Sequence, residues 1–227
     1  MGQMTELTAA DGHTLGAYVA APEGTPKGAP KGAIVVIQEI FGVNVHIREV
    51  VDGYAADGYY AIAPAIFDRI EKDIQLGYEE ADMTAGVAYA FEKLQISDAL
   101  QDVQAAVNEA SNHGKVGVVG YCFGGLLTWL SATDLSGITA ASAYYGGGLV
   151  NEAGRDPKCP VIMHFGALDA HIPLSDVDKI KEANPDVPVY VYDADHGFNC
   201  NHRGSYDAAS SALAKERTLE FFGEKLA

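Results

Sequence analysis

The chain has 227 residues, 48% hydrophobic and 20% charged, which suits one large core in a single α/β domain or at most two small ones. A formal net charge of −16 and a pI near 4.6 exclude the basic footprint that nucleic acid or an anionic membrane surface demands. No apolar run approaches the about 18 residues of a membrane span. The opening MGQMTELTAADG lacks the basic and apolar regions of a signal peptide, and Glu6 stands where a myristoylation signal needs Ser or Thr. Three scattered cysteines, Cys122, Cys159 and Cys200, form no CxxC pair, so reduced thiols in a cytoplasmic protein are expected.

In chain order, the Asp11-Gly12 pair between two alternating segments predicts a β-hairpin. EGTPKGAPKG, residues 23–32, has no periodicity and reads as an exposed loop. AIVVIQEIFG begins as a continuous buried strand of the kind found inside parallel sheets. A helix over 45–57 and a strand over 59–63 follow, and residues 66–77 lack a period and read as a lid-like loop. Helices are predicted over 78–94 and 97–112, the second with Ser97 as N-cap and Gly114 beyond its end. Strands then fit 138–144, 161–165 and 187–192, and a last helix fits 206–222. This alternation predicts a mostly parallel, doubly wound α/β sheet with helices on both faces, in one domain spanning 1–227.

The segment GKVGVVGYCFGGLL, residues 114–127, carries a β-branched strand into an apolar helix through Gly120-Tyr121-Cys122-Phe123-Gly124. That is G-x-S-x-G with cysteine for serine, the pattern of a nucleophile elbow. Its glycines permit a sharp turn, and a helix N-terminus just beyond favours a thiolate. Against this, an isolated cysteine is most often a small core hydrophobe. A nucleophile needs a base and the base an orienting acid, in the chain order nucleophile, acid, histidine for α/β hydrolases. Asp169, after a strand ending at Phe165, and His196, after a strand ending near Tyr192, supply that order. Asp193 and Asp195 are too close to His196 in sequence to bend back onto its ring. His171 and His202 are rival bases, and His164 reads as a core histidine. The set His164, Asp169 and His171 has no zinc or iron spacing, so no metal and no cofactor is expected. Tyr144 and Tyr145 end their strand at the pocket edge, whereas Trp129 and Phe123 read as core.

In these motifs the sequence resembles the dienelactone hydrolases, or carboxymethylenebutenolidases. IVVIQEIFGVN, GYAADGYYAIAP, KVGVVGYCFGG, AYYGGGL, HFGALDAHIP, DADHGF and SYDAASSALAKERTLEFF carry the resemblance over nearly the whole chain after the first hairpin. It implies an α/β-hydrolase fold with Cys122 as nucleophile, Asp169 as acid and His196 as base. It further implies that Glu39 hydrogen-bonds the resting thiol, and that the backbone N–H groups of Ile40 and Phe123 hold the oxyanion. Two family arginines are displaced: the position four after the histidine, where the family's arginine meets the substrate carboxylate, is Cys200, leaving Arg203 nearby, and only Arg69 is near the second, which lies in the segment before the ADMTAG helix. Arg203, Arg69 and Tyr145 are therefore the substrate-binding candidates.

The expected reaction is hydrolysis of a lactone or activated carboxylic ester through an acyl-thiol. A thiolate departs from a tetrahedral intermediate more readily than an alkoxide, so enol lactones and aryl esters go forward where alkyl esters revert. The alternatives are a broader carboxylesterase on the same triad, a non-catalytic small-molecule binder, and a redox thiol at Cys122. The expected partner is a small ester or lactone, with neither nucleic acid nor membrane, in a monomer or small homo-oligomer.

Overall fold

The computed structural model describes residues 2–22 and 30–227; residues 23–29, which form most of the expected exposed loop, lie outside the described part. Strands β1 (Gln3–Thr8) and β2 (Thr14–Ala20) pair antiparallel across the Asp11-Gly12 turn. Six further strands follow: β3 (Ala33–Ile37), β4 (Tyr60–Pro64), β5 (Val116–Tyr121), β6 (Ile138–Tyr144), β7 (Val161–Gly166) and β8 (Val189–Tyr192). Together they make one eight-stranded sheet in the order β1-β2-β4-β3-β5-β6-β7-β8, parallel from β4 to β8. β3 is AIVVI and wholly buried, because a parallel strand covered on both faces has no solvent side on which to place polar residues.

Among the described residues six α-helices pack around these strands: α1 (Val45–Ala56), α2 (Glu80–Val87), α3 (Ile96–Ala110), α4 (Phe123–Asp134), α5 (Leu174–Ala183) and, after the last strand, α6 (Ala208–Leu226). The chain runs from β3 to β4 in one direction and from β5 to β8 in the other. Right-handed crossovers therefore send α1 to one face and α3 and α4 to the opposite face. The switch falls between the neighbouring strands β3 and β5, and ligands of open α/β sheets bind at the carboxyl ends of such strands. α4 is buried along nearly its whole length; Trp129 is fully enclosed and donates its indole N–H to the Glu152 carbonyl at 2.9 Å. Phe123 is also core, meeting Phe91 edge-on, as its apolar setting predicts.

Several expectations need correction. The helix expected over 78–94 starts at Glu80, where the Asp82 carboxylate accepts the Glu79 N–H, and its last turn, Ala88–Lys93, widens into a π-helix. α3 begins at Ile96 with Gln95 as N-cap, because Ile96 packs against the core and draws the helix start two residues earlier than a Ser97 cap would place it. α6 continues to Leu226, whose side chain is buried beside Gly32. The segment over 66–77 opens with a 3₁₀ turn, Ile66–Arg69, and is tied down at its far end. There Leu76 N–H donates to the Phe41 carbonyl at 2.9 Å and Gln75 bridges to Gly42. It is a strap over the loop after β3.

Arg69 is not a substrate residue. Its guanidinium grips Asp102 of α3 in a two-pronged pair, at 2.7 and 3.0 Å, and also holds Asp11 of the first hairpin. Asp102 is fully buried, and burial pushes its pKa up while Arg69 pulls it down. Removing the arginine leaves a buried carboxylate unpaired, a change that costs several kcal/mol. Arg69→Met is accordingly expected to destabilise the fold by about 3 kcal/mol. Urea unfolding should show a lower midpoint at unchanged slope; a shift smaller than about 1 kcal/mol would contradict this role.

Candidate active site

β5 ends at Tyr121, and Cys122 follows with φ 56° and ψ −116°, in a strained backbone region that few non-glycine residues occupy. The neighbouring glycines make this turn feasible. A Cβ on Gly124 would come within 2.3 Å of the Ile37 carbonyl, and one on Gly120 within 2.0 Å of the Gly124 carbonyl. The start of α4 is thus pressed against the end of β3. Cys122 is half-buried, whereas Cys159 and Cys200 are buried. Phe123 is the first residue of α4, so its N–H has no intrahelical acceptor. Ile40, in the loop after β3, likewise donates to no acceptor among the described residues.

Asp169 and His196 follow β7 and β8 at the same edge. The His196 Nδ1–H donates to Asp169 Oδ2 at 2.7 Å, with both side chains almost wholly enclosed. The other carboxylate oxygen, Oδ1, accepts the backbone N–H groups of His171 at 2.8 Å and Ile172 at 3.1 Å. Asp169 is therefore fixed as an acceptor on both sides. Burial disfavours the charged His196 ring, but the neighbouring Cys122 sulfur and Asp169 outweigh it and raise its pKa to about 10. The rivals fall away on geometry. Asp195 accepts only the His196 backbone N–H, and His202 pairs with Glu49 at 2.8 Å. His171 gives Asp169 its backbone and sets its ring 5.3 Å from that of His196.

His164 is the core histidine its strand position predicts. Tyr192 and Thr218 hold its two nitrogens at 2.8 and 3.2 Å, and burial, then Arg217, drives its pKa down to about 3. Tyr144 also turns inward, its hydroxyl meeting Thr218 at 2.7 Å. Tyr145 follows with φ 35°, and its ring lies 6.0 Å from that of Tyr144 and 5.1 Å from that of His196. It is fully buried, so it braces the histidine rather than lining an open pocket.

Glu39 departs from expectation. It is 1% exposed, yet neither carboxylate oxygen has a hydrogen-bond partner, and no bond to the Cys122 thiol forms. Arg203 draws it elsewhere: Nη1 stands 3.7 Å from Oε1, while the guanidinium lies over the Phe41 ring. Spacing in the sequence gave no sign that His46, Tyr78 and Cys200 surround this carboxylate, because they come from three separate segments.

The sequence profile of the Dienelactone hydrolase family matches residues 15–226. The chain belongs to the dienelactone hydrolase family. Similar relatives include the carboxymethylenebutenolidase of Pseudomonas putida, 35% identical over 93% of this chain and 92% of that one. A protein of Pseudomonas knackmussii of the same name matches equally, at 35% over 93% and 92%. A crystal structure from Klebsiella pneumoniae subsp. pneumoniae, provisionally named a dienelactone hydrolase, superposes with a TM-score of 0.82 at 29% identity, covering 99% of both chains. This dienelactone hydrolase family member is thus a hydrolase with the expected α/β-hydrolase fold. No helix of its described residues is long and apolar enough to cross a membrane.

Proposed function

We propose that this hydrolase cleaves a lactone or an activated carboxylic ester through a covalent acyl-thiol on Cys122. The observation that carries this reading is the Asp169–His196 pair, 2.7 Å long, placed beside a thiol on a strained strand-to-helix turn. His196 Nδ1 is held by Asp169, so Nε2 takes the proton from Cys122 Sγ. The sulfur attacks the carbonyl carbon, and the N–H groups of Ile40 and Phe123 hold the resulting oxyanion. The carbon–oxygen bond then breaks, and His196 returns its proton to the leaving oxygen. Once acylated, Cys122 no longer carries the charge that supports a protonated ring. The His196 pKa falls, and the neutral ring takes a proton from water as that water attacks the thioester. The acid departs, the carbon–sulfur bond breaks, and the thiol is restored.

The name of the Pseudomonas relatives describes a lactone bearing a carboxymethylene group, and a substrate of that class presents a carboxylate. Arg203 is the group we assign to it. In an acidic chain it brings a guanidinium to the buried end of the loop after β3, and its interaction with Glu39 is longer than a hydrogen bond. A charge-assisted hydrogen bond contributes about 1.5–3 kcal/mol, roughly a 10- to 100-fold effect on binding. Arg203→Leu is expected to raise KM by that factor for a carboxylate-bearing enol lactone and to leave KM for a neutral aryl ester within about threefold. Steady-state kinetics on both substrates makes the test. Equal effects on both, or none on either, would favour a broader carboxylesterase acting through the same triad.

A further inference from the structure

Behind Cys122 lies a second group of reactive side chains that the proposed hydrolysis does not use. The carboxylate of Glu39, a ring nitrogen of His46 and the Cys200 sulfur lie within 4.8 Å of one another, all three residues buried. His46 Nδ1 meets Asn201 Oδ1 at 3.2 Å, and the Asn201 amide nitrogen faces Glu49 Oε2 at 3.5 Å. An amide oxygen only accepts, so Nδ1 carries the hydrogen and the lone pair of neutral His46 sits on Nε2. That nitrogen is buried without a partner, as are both oxygens of Glu39, while the two residues are 3% and 1% exposed. Three lone-pair-bearing atoms with no donor among the described residues are costly to bury and call for a cation between them.

We propose that Glu39, His46 and Cys200 bind one borderline divalent transition ion, with Zn²⁺ as the best fit, and that the bound ion inhibits hydrolysis. One carboxylate, one imidazole and one thiolate are the donor types zinc takes in a tetrahedral site, leaving a fourth position for water. Outer groups are already set. Asn201 fixes the His46 tautomer, as partners of zinc-bound histidines do. Cys200 S–H donates to the Tyr78 hydroxyl at 3.2 Å, and after loss of the thiol proton Tyr78 can donate in return. Burial, with Glu39 beside it, holds the free Cys200 thiol up to about 11, so binding releases its proton and tightens as pH rises. Arg203, 3.7 Å from Glu39 Oε1, opposes the ion electrostatically but occupies neither oxygen by a hydrogen bond. A surface cleft lined by His46, Glu49, Tyr121 and Asn201 provides a route inward. The inhibitory part rests on the functional reading above: an ion held by Glu39 also fixes the adjoining Ile40, whose N–H is assigned there to the oxyanion.

The test uses the full-length chain, stripped with a chelator and titrated with cobalt chloride. One equivalent should bind, with a near-ultraviolet thiolate-to-cobalt band and visible bands of tetrahedral intensity. Cys200→Ser should abolish the charge-transfer band, His46→Gln should weaken binding at least about tenfold, and Cys122→Ala should change neither. A band that survives in Cys200→Ser and vanishes in Cys122→Ala would place the ion on the elbow thiol and overturn the proposal. So would binding abolished by His202→Ala yet kept by Cys200→Ser, because that assigns the ion to His46 together with the exposed Glu49 and His202. Absence of the band in the parent overturns it as well. With Zn²⁺ in an aryl-ester assay, the parent should be inhibited at least tenfold more strongly than Cys200→Ser; equal inhibition contradicts the inhibitory role. If the parent hydrolyses nothing, the functional reading fails, and the cobalt spectra still decide the site.

Discussion

Replacing Cys122 with alanine is expected to lower kcat/KM for an aryl ester by at least about 10⁴, because residues of a nucleophile–base unit fail together. The protein should stay folded. Cys122 is half-buried, and its backbone bonds, from its N–H to the Tyr144 carbonyl and from the Gly125 N–H to its own carbonyl, do not depend on the sulfur; its φ of 56° is equally strained in either residue. Circular dichroism and a thermal melt on the same sample separate loss of chemistry from loss of fold. A variant retaining a tenth or more of parental activity would remove Cys122 as nucleophile. Cys122→Ser sharpens the point. With an alkoxide instead of a thiolate competing to leave, the ratio of alkyl-ester to aryl-ester hydrolysis should rise above the parental ratio.

Asp169→Asn should lower kcat by about 10⁴ for a different reason. Two backbone N–H groups, from His171 and Ile172, fix the Oδ1 position as an acceptor. The amide oxygen of asparagine must take that place, which turns its NH₂ toward His196 Nδ1. Nδ1 then accepts, the ring proton moves to Nε2, and the base has no lone pair facing Cys122. The support that Asp169 gives to a charged ring is lost too, so the His196 pKa should fall from about 10. Kinetics, with NMR of the ring protons across pH, checks both effects. A loss under tenfold in kcat, or a histidine that keeps its pKa, would show that Asp169 is not the orienting acid.

Much of this arrangement was legible in the chain because local chemistry and global order agree. Val116, Val118 and Val119 followed by glycines around a cysteine can be read as a strand, a sharp turn and a helix without knowing anything distant. Asp169 and His196 lie just past strand ends, and parallel strands bring their carboxyl ends to one edge. Other features are set by contacts that no spacing encodes. Arg69 stood in the right stretch for a substrate contact, but Asp102 and Asp11 claim it from α3 and the first hairpin. Ser97 is a better cap than Gln95 by type, yet burial of Ile96 moves the helix start. Cys200 was visible only as a missing arginine. Its neighbours Glu39, His46 and Tyr78 become a group only when the loop after β3, the start of α1, the strap before α2 and the loop after β8 meet.

The most direct test of the proposed chemistry is rapid acid quench of the enzyme with an aryl ester, followed by mass spectrometry of the peptide bearing Cys122. The proposed mechanism predicts a mass increase equal to the acyl group, on Cys122 alone, that rises within the first turnover and decays when substrate is exhausted. Turnover with an unmodified Cys122 throughout, or with the acyl group on another residue, would contradict it.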